Sequence, residues 1–458
     1  MYRHYFLFSI IIYLCTSFKT FSQQIPYEFF DYKLKNLLFD CGENWENNTN
    51  FSSPRFREFL KENQKNDSLN IKTQIGLKNR SKALEIYGFL HFNYKINFFG
   101  YLYPRLVNDI SEFERYSGIP MDINRGGFIS GETDMSGIGY ENKWVCLEIV
   151  RGRESIGAGE NINLTMKYNS PAYDYFRLSS NYGKIKVNYL NGFLESNSDQ
   201  INRYIVFKGL EWTNKKSLII GFSETIIYSG YNRGLDFGYL NPISSHLEVE
   251  LNNHLNVIGS EAANAVWQFH FDLFFRKKFR LSFNYLIDEF VLDQSELDWG
   301  KEHGNGYSSR FSYTPIKTDK IICTLFSSVI SIGTPTLRHG NGTNNFIQRS
   351  KPLGWEYGSD ARESSLGLNI FNRKNFISEF KIGKLSIGEE SLIFRPYEEY
   401  KDYLKDDFPS GDVISSNIMY LKFEYWWLQN ISGELILNLN DGNFEREESY
   451  FKVGIKVY

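Results

Sequence analysis

Two short stretches of this 458-residue chain set aromatic rings beside carboxylates: Asp298-Trp299 with Glu302-His303, and Trp355-Glu356-Tyr357 with Asp360. Aromatic faces stack on pyranose rings, while carboxylates and amides take the sugar hydroxyls. These residue types in this pattern point to saccharide binding. The competing assignment for each ring is a place at a membrane interface or in loop packing.

Catalysis has weaker support. Adjacent carboxylates occur at Asp288-Glu289, Glu389-Glu390, Glu398-Glu399 and Asp406-Asp407, but neighbours on a strand point to opposite faces. Glycosidase chemistry needs two carboxyls about 5–10 Å apart across a cleft, which adjacency does not supply. The chain carries no phosphate-cradling loop, nucleophile elbow, HExxH or dinucleotide fingerprint, and no enzyme activity is expected. His303-Gly304-Asn305-Gly306 and His339-Gly340-Asn341-Gly342 are the same tetrapeptide. Asn-Gly favours positive φ and tight turning. The two histidines could hold a metal between loops, yet no further ligand spacing accompanies them, so both copies are read as turns and no metal or cofactor is expected. Cys41, Cys146 and Cys323 are far apart and form no CxxC. Cys146 and Cys323 fall in strand-like runs as small apolar side chains.

The elements that would carry these residues are written most clearly in Trp267–Leu286. Trp267, Phe269, Phe271, Leu273 and Phe275 alternate with Gln268, His270 and Asp272; after Arg276-Lys277-Lys278, Phe279, Leu281, Phe283, Tyr285 and Ile287 alternate with Arg280, Ser282 and Asn284. Successive side chains of a strand face opposite ways, so this is a hairpin with one apolar and one wet face. The unit recurs. Leu69–Leu77 turns at Arg80-Ser81-Lys82, Tyr204–Trp212 at Asn214-Lys215-Lys216, Phe311–Ile316 at Thr318-Asp319-Lys320, Leu366–Ile370 at Asn372-Arg373-Lys374, and Ile418–Trp427 at Gln429-Asn430. The segments between hairpins are longer: Arg105–Lys143, Ser229–Asn264, Asp293–Arg310, Gly333–Arg362 and Glu389–Ser416. Tight turns at one end and long loops at the other are the asymmetry of a transmembrane antiparallel β-barrel. The spacing predicts an all-β barrel of about 16–18 strands over residues 67–458. Phe451, Val453, Ile455 and Val457 supply a closing strand, although Tyr458 shares its face with the lysines.

Composition agrees with that assignment. Aromatics are 17% of the chain, with Tyr 31 and Phe 39, as suits rings at an apolar–polar boundary. The net charge of −3 supplies no field for nucleic acid. Residues 1–22 read as a signal peptide, with Arg3 and His4 ahead of apolar Phe6–Leu14 and a cleavage site at Thr20-Phe21-Ser22. Residues 23–66 read as a short, partly helical periplasmic segment or a plug entering the barrel. Helical spacing in Tyr32–Phe39 and Arg55–Lys65, and a helix start at Ser52-Ser53-Pro54, support this. The expected address is the outer membrane.

One order of short motifs resembles a known family. Leu210-Glu211-Trp212 precedes a hairpin turn and Leu218–Tyr228. Tyr231-Asn232-Arg233-Gly234-Leu235-Asp236 and Tyr239-Leu240-Asn241-Pro242 follow, then Trp267-Gln268-Phe269 and Tyr285-Leu286-Ile287-Asp288-Glu289-Phe290. This order is similar to the capsule-assembly Wzi family in its Bacteroidetes form, which includes gliding-motility RemB-like relatives. The resemblance implies an outer-membrane barrel that acts as a surface lectin for capsular or exopolysaccharide, with no catalytic residues. Outer-membrane lipid, and the barrel-assembly machinery during insertion, are the other expected partners. The alternatives are a porin-like channel, a surface component of gliding or adhesion, and a secreted β-sandwich glycosidase.

Overall fold

The computed structural model describes residues 40–42, 45, 49–52, 69–81, 83–95, 97–113, 115–121, 126–197, 199–247, 263–289, 291, 294–300, 302–372, 375–399, 407–428, 431–441 and 449–457. The signal-peptide reading, Tyr32–Phe39, Arg55–Lys65 and Tyr458 lie outside these residues.

Eighteen antiparallel strands close into one barrel. In chain order they are β1 (Leu69–Arg80), β2 (Ala83–Tyr94), β3 (Phe98–Val107), β4 (Ser130–Glu141), β5 (Val145–Gly152), β6 (Tyr173–Tyr182), β7 (Ile185–Ser196), β8 (Ile201–Thr213) and β9 (Leu218–Tyr231). They continue as β10 (Ala263–Phe275), β11 (Phe279–Glu289), β12 (Gly304–Lys317), β13 (Ile321–Ile332), β14 (Ala361–Asn372), β15 (Phe376–Ile387), β16 (Ile414–Leu428), β17 (Ile431–Asn440) and β18 (Tyr450–Val457). Each strand pairs with its sequence neighbour, and Leu77–Arg80 of β1 close the ring against Gly454–Val457 of β18. Closure leaves no edge strand unpaired.

The period-two pattern puts apolar residues outside and polar residues inside. On β10, Phe269 is 41% exposed while Gln268, His270 and Asp272 are fully buried. The polar face expected to be wet therefore faces a lumen filled by protein. Leu210, Phe222, Leu325, Leu366 and Val453 continue the outer apolar surface around the wall. Tyr94, Phe98, Trp144, Tyr182, Trp212, Phe275 and Trp427 are exposed beside the tight turns and form an aromatic girdle at that end. An apolar belt with an aromatic girdle on a closed antiparallel barrel is outer-membrane architecture. The tight-turn end is periplasmic and the long-loop end extracellular on the same principle.

Two expectations need correction. Arg105–Lys143 is not one connection, because β4 occupies Ser130–Glu141 and the turn after it is tight. Gly137 and Gly139 hid this strand. They are small because a Cβ there would run into the rings of Tyr101 and Phe99 inside the barrel. The short connection at Arg80-Ser81 lies at the loop end, since β1 starts at the tight-turn end.

The lumen is occupied by chain. The connection 153–172 folds inward, with Ile156, Ile162, Leu164 and Met166 essentially inaccessible. Phe51–Ser52 from the N-terminal segment pairs antiparallel with Ser155–Ile156, which places that part of residues 23–66 within the barrel. Asp40 reaches Arg280 (2.7 Å) and Arg310 (3.2 Å) on the inner wall, and Trp45 stacks on Phe274 at 5.3 Å.

The 232–247 connection does the opposite and folds over the outer wall. Its short helix Phe237–Leu240 is capped by the Asp236 carboxylate, which accepts from the Gly238 amide at 2.8 Å. Tyr204, Tyr228, Tyr239 and His246 stack in a column with centroids 4.7–5.9 Å apart. Beneath it lie Lys208 and Glu224, 3.9 Å apart on outward positions of β8 and β9. Charge cannot face lipid at low cost, and this flap covers it.

Candidate functional site

Chemistry at a barrel's extracellular end depends on whether its loops hold a fixed shape. Here the 333–360 connection is bound to the inward 153–172 connection and to residues 388–399 and 407–413. The Lys167 amide donates to Leu353 O at 2.7 Å and the Trp355 amide to Leu164 O at 3.3 Å. Gly354 permits this approach, since a Cβ there would collide with the Leu164 carbonyl.

Asp360 fastens the two outer connections. Its carboxylate accepts from Thr334 Oγ1 (2.9 Å), the Ser410 amide (2.8 Å), Ser410 Oγ (2.6 Å) and the Glu390 amide (3.1 Å). Arg338 Nη1 donates to Glu390 at 2.7 Å, and Glu390 also pairs with Arg395. Burial lowers the Arg338 pKa, opposed by its bond to Glu390. Arg203 at the loop end of β8 donates to Glu195 (2.7 Å), Thr343 O (2.6 Å) and Asn345 O (2.7 Å). Its guanidinium lies 5.4 Å from the Tyr397 ring centre.

Above this floor, Tyr397 remains 37% exposed. Its hydroxyl donates to Glu195 and accepts from the Ser350 amide at 3.1 Å. Burial, with the Glu195 carboxylate, raises the Tyr397 pKa, so the phenol stays protonated. The turn His339–Gly342 packs against the Tyr397–Glu398 backbone; Gly342 has φ +64° and lies too close to Tyr397 O for a Cβ. Asn341 is exposed, and its Oδ1 accepts from His339 Nδ1 at 3.0 Å in the tautomer that carries the proton there. The Glu398 side chain is 62% exposed and holds Arg395 at 2.8 Å. The exposed Tyr397 ring and Glu398 carboxylate thus lie on a held surface against which the His339–Gly342 turn packs through Gly342.

The sequence-predicted residues fall into two groups. Asp298 lies on the short helix Gln294–Trp299, is exposed, and accepts from Gln294 Nε2 at 3.0 Å. Trp299 ends that helix; its side chain lies outside the described atoms. Glu302 and His303 are exposed, and His303 Nδ1 accepts from the Val291 amide at 3.2 Å. In the second group, Glu356 is exposed, but Trp355 is 1%, Tyr357 5% and Asp360 0% exposed. Trp355 and Tyr357 meet edge-on at 5.2 Å in the interior of the loop layer, so their faces are covered by protein.

The repeated tetrapeptide takes two conformations. His339–Gly342 is a turn, closed by the Gly342 amide on His339 O at 2.9 Å. The first copy begins β12, where Asn305 and Gly306 pair with Ile287 and Leu286. Its reading as a turn is corrected: a partner strand satisfies its backbone. Tyr397, Arg203 and Glu195 were not singled out in the sequence. The Arg395–Glu399 run of mixed charge around a Pro-Tyr pair is the one local signal that could have drawn attention to Tyr397.

No protein-family model matches this chain, and no curated protein matches it. Among solved structures it is similar to Wzi from Escherichia coli, described as an outer-membrane protein involved in group 1 capsule assembly and a carbohydrate-binding β-barrel, with TM-score 0.57, 11% identity and 84% of each chain covered. OccK3 from Pseudomonas aeruginosa aligns with TM-score 0.46 and 8% identity over 85% of this chain and 94% of its own. OccK2 from the same organism, solved with glucuronate, aligns with TM-score 0.44 and 10% identity over 85% and 97%. The first likeness is one of fold. With the closed apolar-belted wall, it places this chain among outer-membrane β-barrels.

Proposed function

We propose that this barrel binds exported polysaccharide at the cell surface and holds it there, as in capsule assembly. The observation that carries the reading is the surface around Tyr397: an exposed ring with His339, Asn341 and Glu398 beside it, on loops fixed by buried ion pairs. A held ring loses little conformational entropy when a sugar stacks on it. Exposed Asp298, Glu302, His303 and Glu356 extend the same loop-end chemistry. A polymer engages such a surface many times, so individually weak contacts add through effective concentration. The carbohydrate binding described for the Escherichia coli barrel supports this reading, as does the motif order similar to the Bacteroidetes form of that family. Lipid around the wall and the assembly machinery during insertion are the other proposed partners. The protein acts by binding without turnover.

Deleting the gene should release polysaccharide into the medium while its synthesis continues, and Tyr397→Ala should do so in part. Unchanged cell-bound polysaccharide in the deletion strain would overturn the proposal. The arginines on the inner wall, Arg105, Arg177, Arg280 and Arg310, favour one rival, a porin-like channel with charge-set selectivity. Steady open-channel conductance of the purified barrel in a planar bilayer would favour that rival. A role in gliding or adhesion shares the fold and differs in partner, so loss of movement with retained capsule would separate it.

A further inference from the structure

The outer wall carries a groove of about 790 Å³ across β13–β17, within the roughly 300–1,000 Å³ typical of small-ligand sites. Its position along the strands tells what surrounds it. Below it, outward positions are apolar except Ser378, down to aromatic Phe376, Tyr425 and Trp427 at the tight-turn end. Its floor is Leu366, Ile382, Met419 and Leu439, with small Ser327 and Ser364 leaving the depression. At its loop-end rim the outward residues turn polar: Ser364 opposite Lys384, and Lys384 opposite Asn417. Asn417 is held by Asp441, which accepts from its amide at 2.6 Å and its side chain at 2.7 Å. Those two bonds lower the Asp441 pKa. The groove therefore straddles the boundary between acyl chains and headgroups of the outer leaflet.

The charge at that boundary is net cationic: Arg362 and Lys384 stand against one carboxylate among the described residues, that of Asp441, which is held by Asn417. Arg362 pairs with Ser386 and Ser364 with Lys384, so Arg362 and Lys384 are diagonal neighbours on one face, about 7–8 Å apart in such a geometry. Both are exposed, and neither makes a side-chain hydrogen bond or ion pair among the described residues. Elsewhere in this barrel most arginines are buried against carboxylates. Two unpaired cations above an apolar groove, at headgroup depth, match an acylated anion with its phosphate outward. We infer that the β13–β17 groove is a binding site for a phosphate-bearing, multiply acylated lipid of the outer leaflet. Acyl chains lie over Leu366, Ile382 and Leu439, and Arg362 and Lys384 take the phosphate. The site faces lipid on the wall and is separate from the loop surface around Tyr397.

The test uses full-length barrel in nanodiscs or detergent, with diphosphorylated lipid A as probe and native mass spectrometry or a competition assay as readout. Lipid A should bind at least 10-fold more tightly than its dephosphorylated form. Arg362→Gln/Lys384→Gln should remove that preference, whereas Lys215→Gln/Lys216→Gln at the periplasmic turn should keep it. Ser364→Trp, which fills the groove and leaves both cations, should weaken both lipid forms together. Heat-modifiable gel mobility verifies that each variant is folded; a variant failing this is replaced by Lys384→Gln alone. Equal binding of the two lipid forms by the wild type, or a preference that survives loss of both cations, would overturn the inference. So would displacement of lipid A by soluble acidic polysaccharide, which would make the cations part of a polymer site. None of these outcomes depends on polysaccharide retention by cells.

Discussion

Removing the Asp40 carboxylate should loosen the N-terminal segment from the barrel. Asp40 is fully buried, with one oxygen 2.7 Å from Arg280 and the other 3.2 Å from Arg310. The two arginines are not equally dependent on it. Arg280 keeps Asp272 through two bonds of 2.9 Å. Arg310 keeps Glu160 at 3.5 Å, Ser312 at 3.3 Å and the face of Phe326 at 3.7 Å. Breaking a buried pair by deleting one partner costs about 3–5 kcal/mol, because a charge is left uncompensated. With Arg280 still paired, most of that falls on Arg310, and Asp40→Ala should lose roughly 2–4 kcal/mol. Adding Arg310→Met removes the weakly paired guanidinium, with loss of its 3.5 Å pairing with Glu160, and should restore part of the loss, a coupling that a double-mutant cycle isolates. Urea unfolding in lipid vesicles, followed by gel mobility, reads the stability. A loss under about 0.5 kcal/mol, the size of a neutral surface change, would refute the placement of Asp40 between the arginines. Failure of Arg310→Met to recover stability would refute the charge argument while leaving the placement intact.

Three further substitutions probe the wall, the loop layer and the flap. Phe222→Arg, at an outward position 52% exposed to the surroundings, should lose about 2–4 kcal/mol in a bilayer, as charge does near the midplane of a barrel wall; near-neutrality by vesicle unfolding would oppose a lipid-facing β9. Asp360→Ala leaves four buried donors without their carboxylate. At about 1–3 kcal/mol for each unsatisfied group, the 388–413 connection should open to protease on intact cells, and unchanged resistance would count against the staple. Tyr239→Ala breaks the column over Lys208 and Glu224 and should expose residues 232–247 to the same protease; a flap that stays resistant must be held by something else.

Strand language was legible because a period of two needs only local sequence, and β10 and β11 state it without interruption. The inward fold of 153–172 was not legible. Its residues Ile162, Leu164 and Met166 alternate with Asn163, Thr165 and Lys167 as a strand's would, yet the segment joins no strand of the wall; the sequence pattern cannot tell a wall strand from a loop packed on a barrel interior whose shape is set by distant strands. β4 failed for a related reason: its inward glycines answer the bulk of Phe99 and Tyr101 on the neighbouring strand. The tetrapeptide His-Gly-Asn-Gly shows the limit plainly. At Asn305 a partner strand supplies the backbone bonds, and at Asn341 none does, so the same residues extend in one place and turn in the other. Aromatic content at Trp355 and Tyr357 was visible, but whether a ring faces solvent depends on which loop covers it.

The filled lumen and the held loop surface around Tyr397 explain each other. A barrel wall spends its apolar residues on lipid, so the inner wall is left polar, and loops resting on it would be poorly held. Here the 153–172, 333–360 and 388–413 connections bring their own core: Leu164, Met166, Phe346, Leu353, Trp355 and Leu392 are all buried together at the loop end. Around that core, Arg105 and Arg153 both pair with Asp134, at 2.8 and 2.7 Å, and Arg338 pairs with Glu390. Apolar packing gives the loop layer its stability, and the paired charges fix its register against the wall. Tyr397 stands on this layer through Glu195 and Ser350. A surface on a rigid support keeps its geometry between encounters, which the proposed grip on a long, mobile chain through many weak contacts would require.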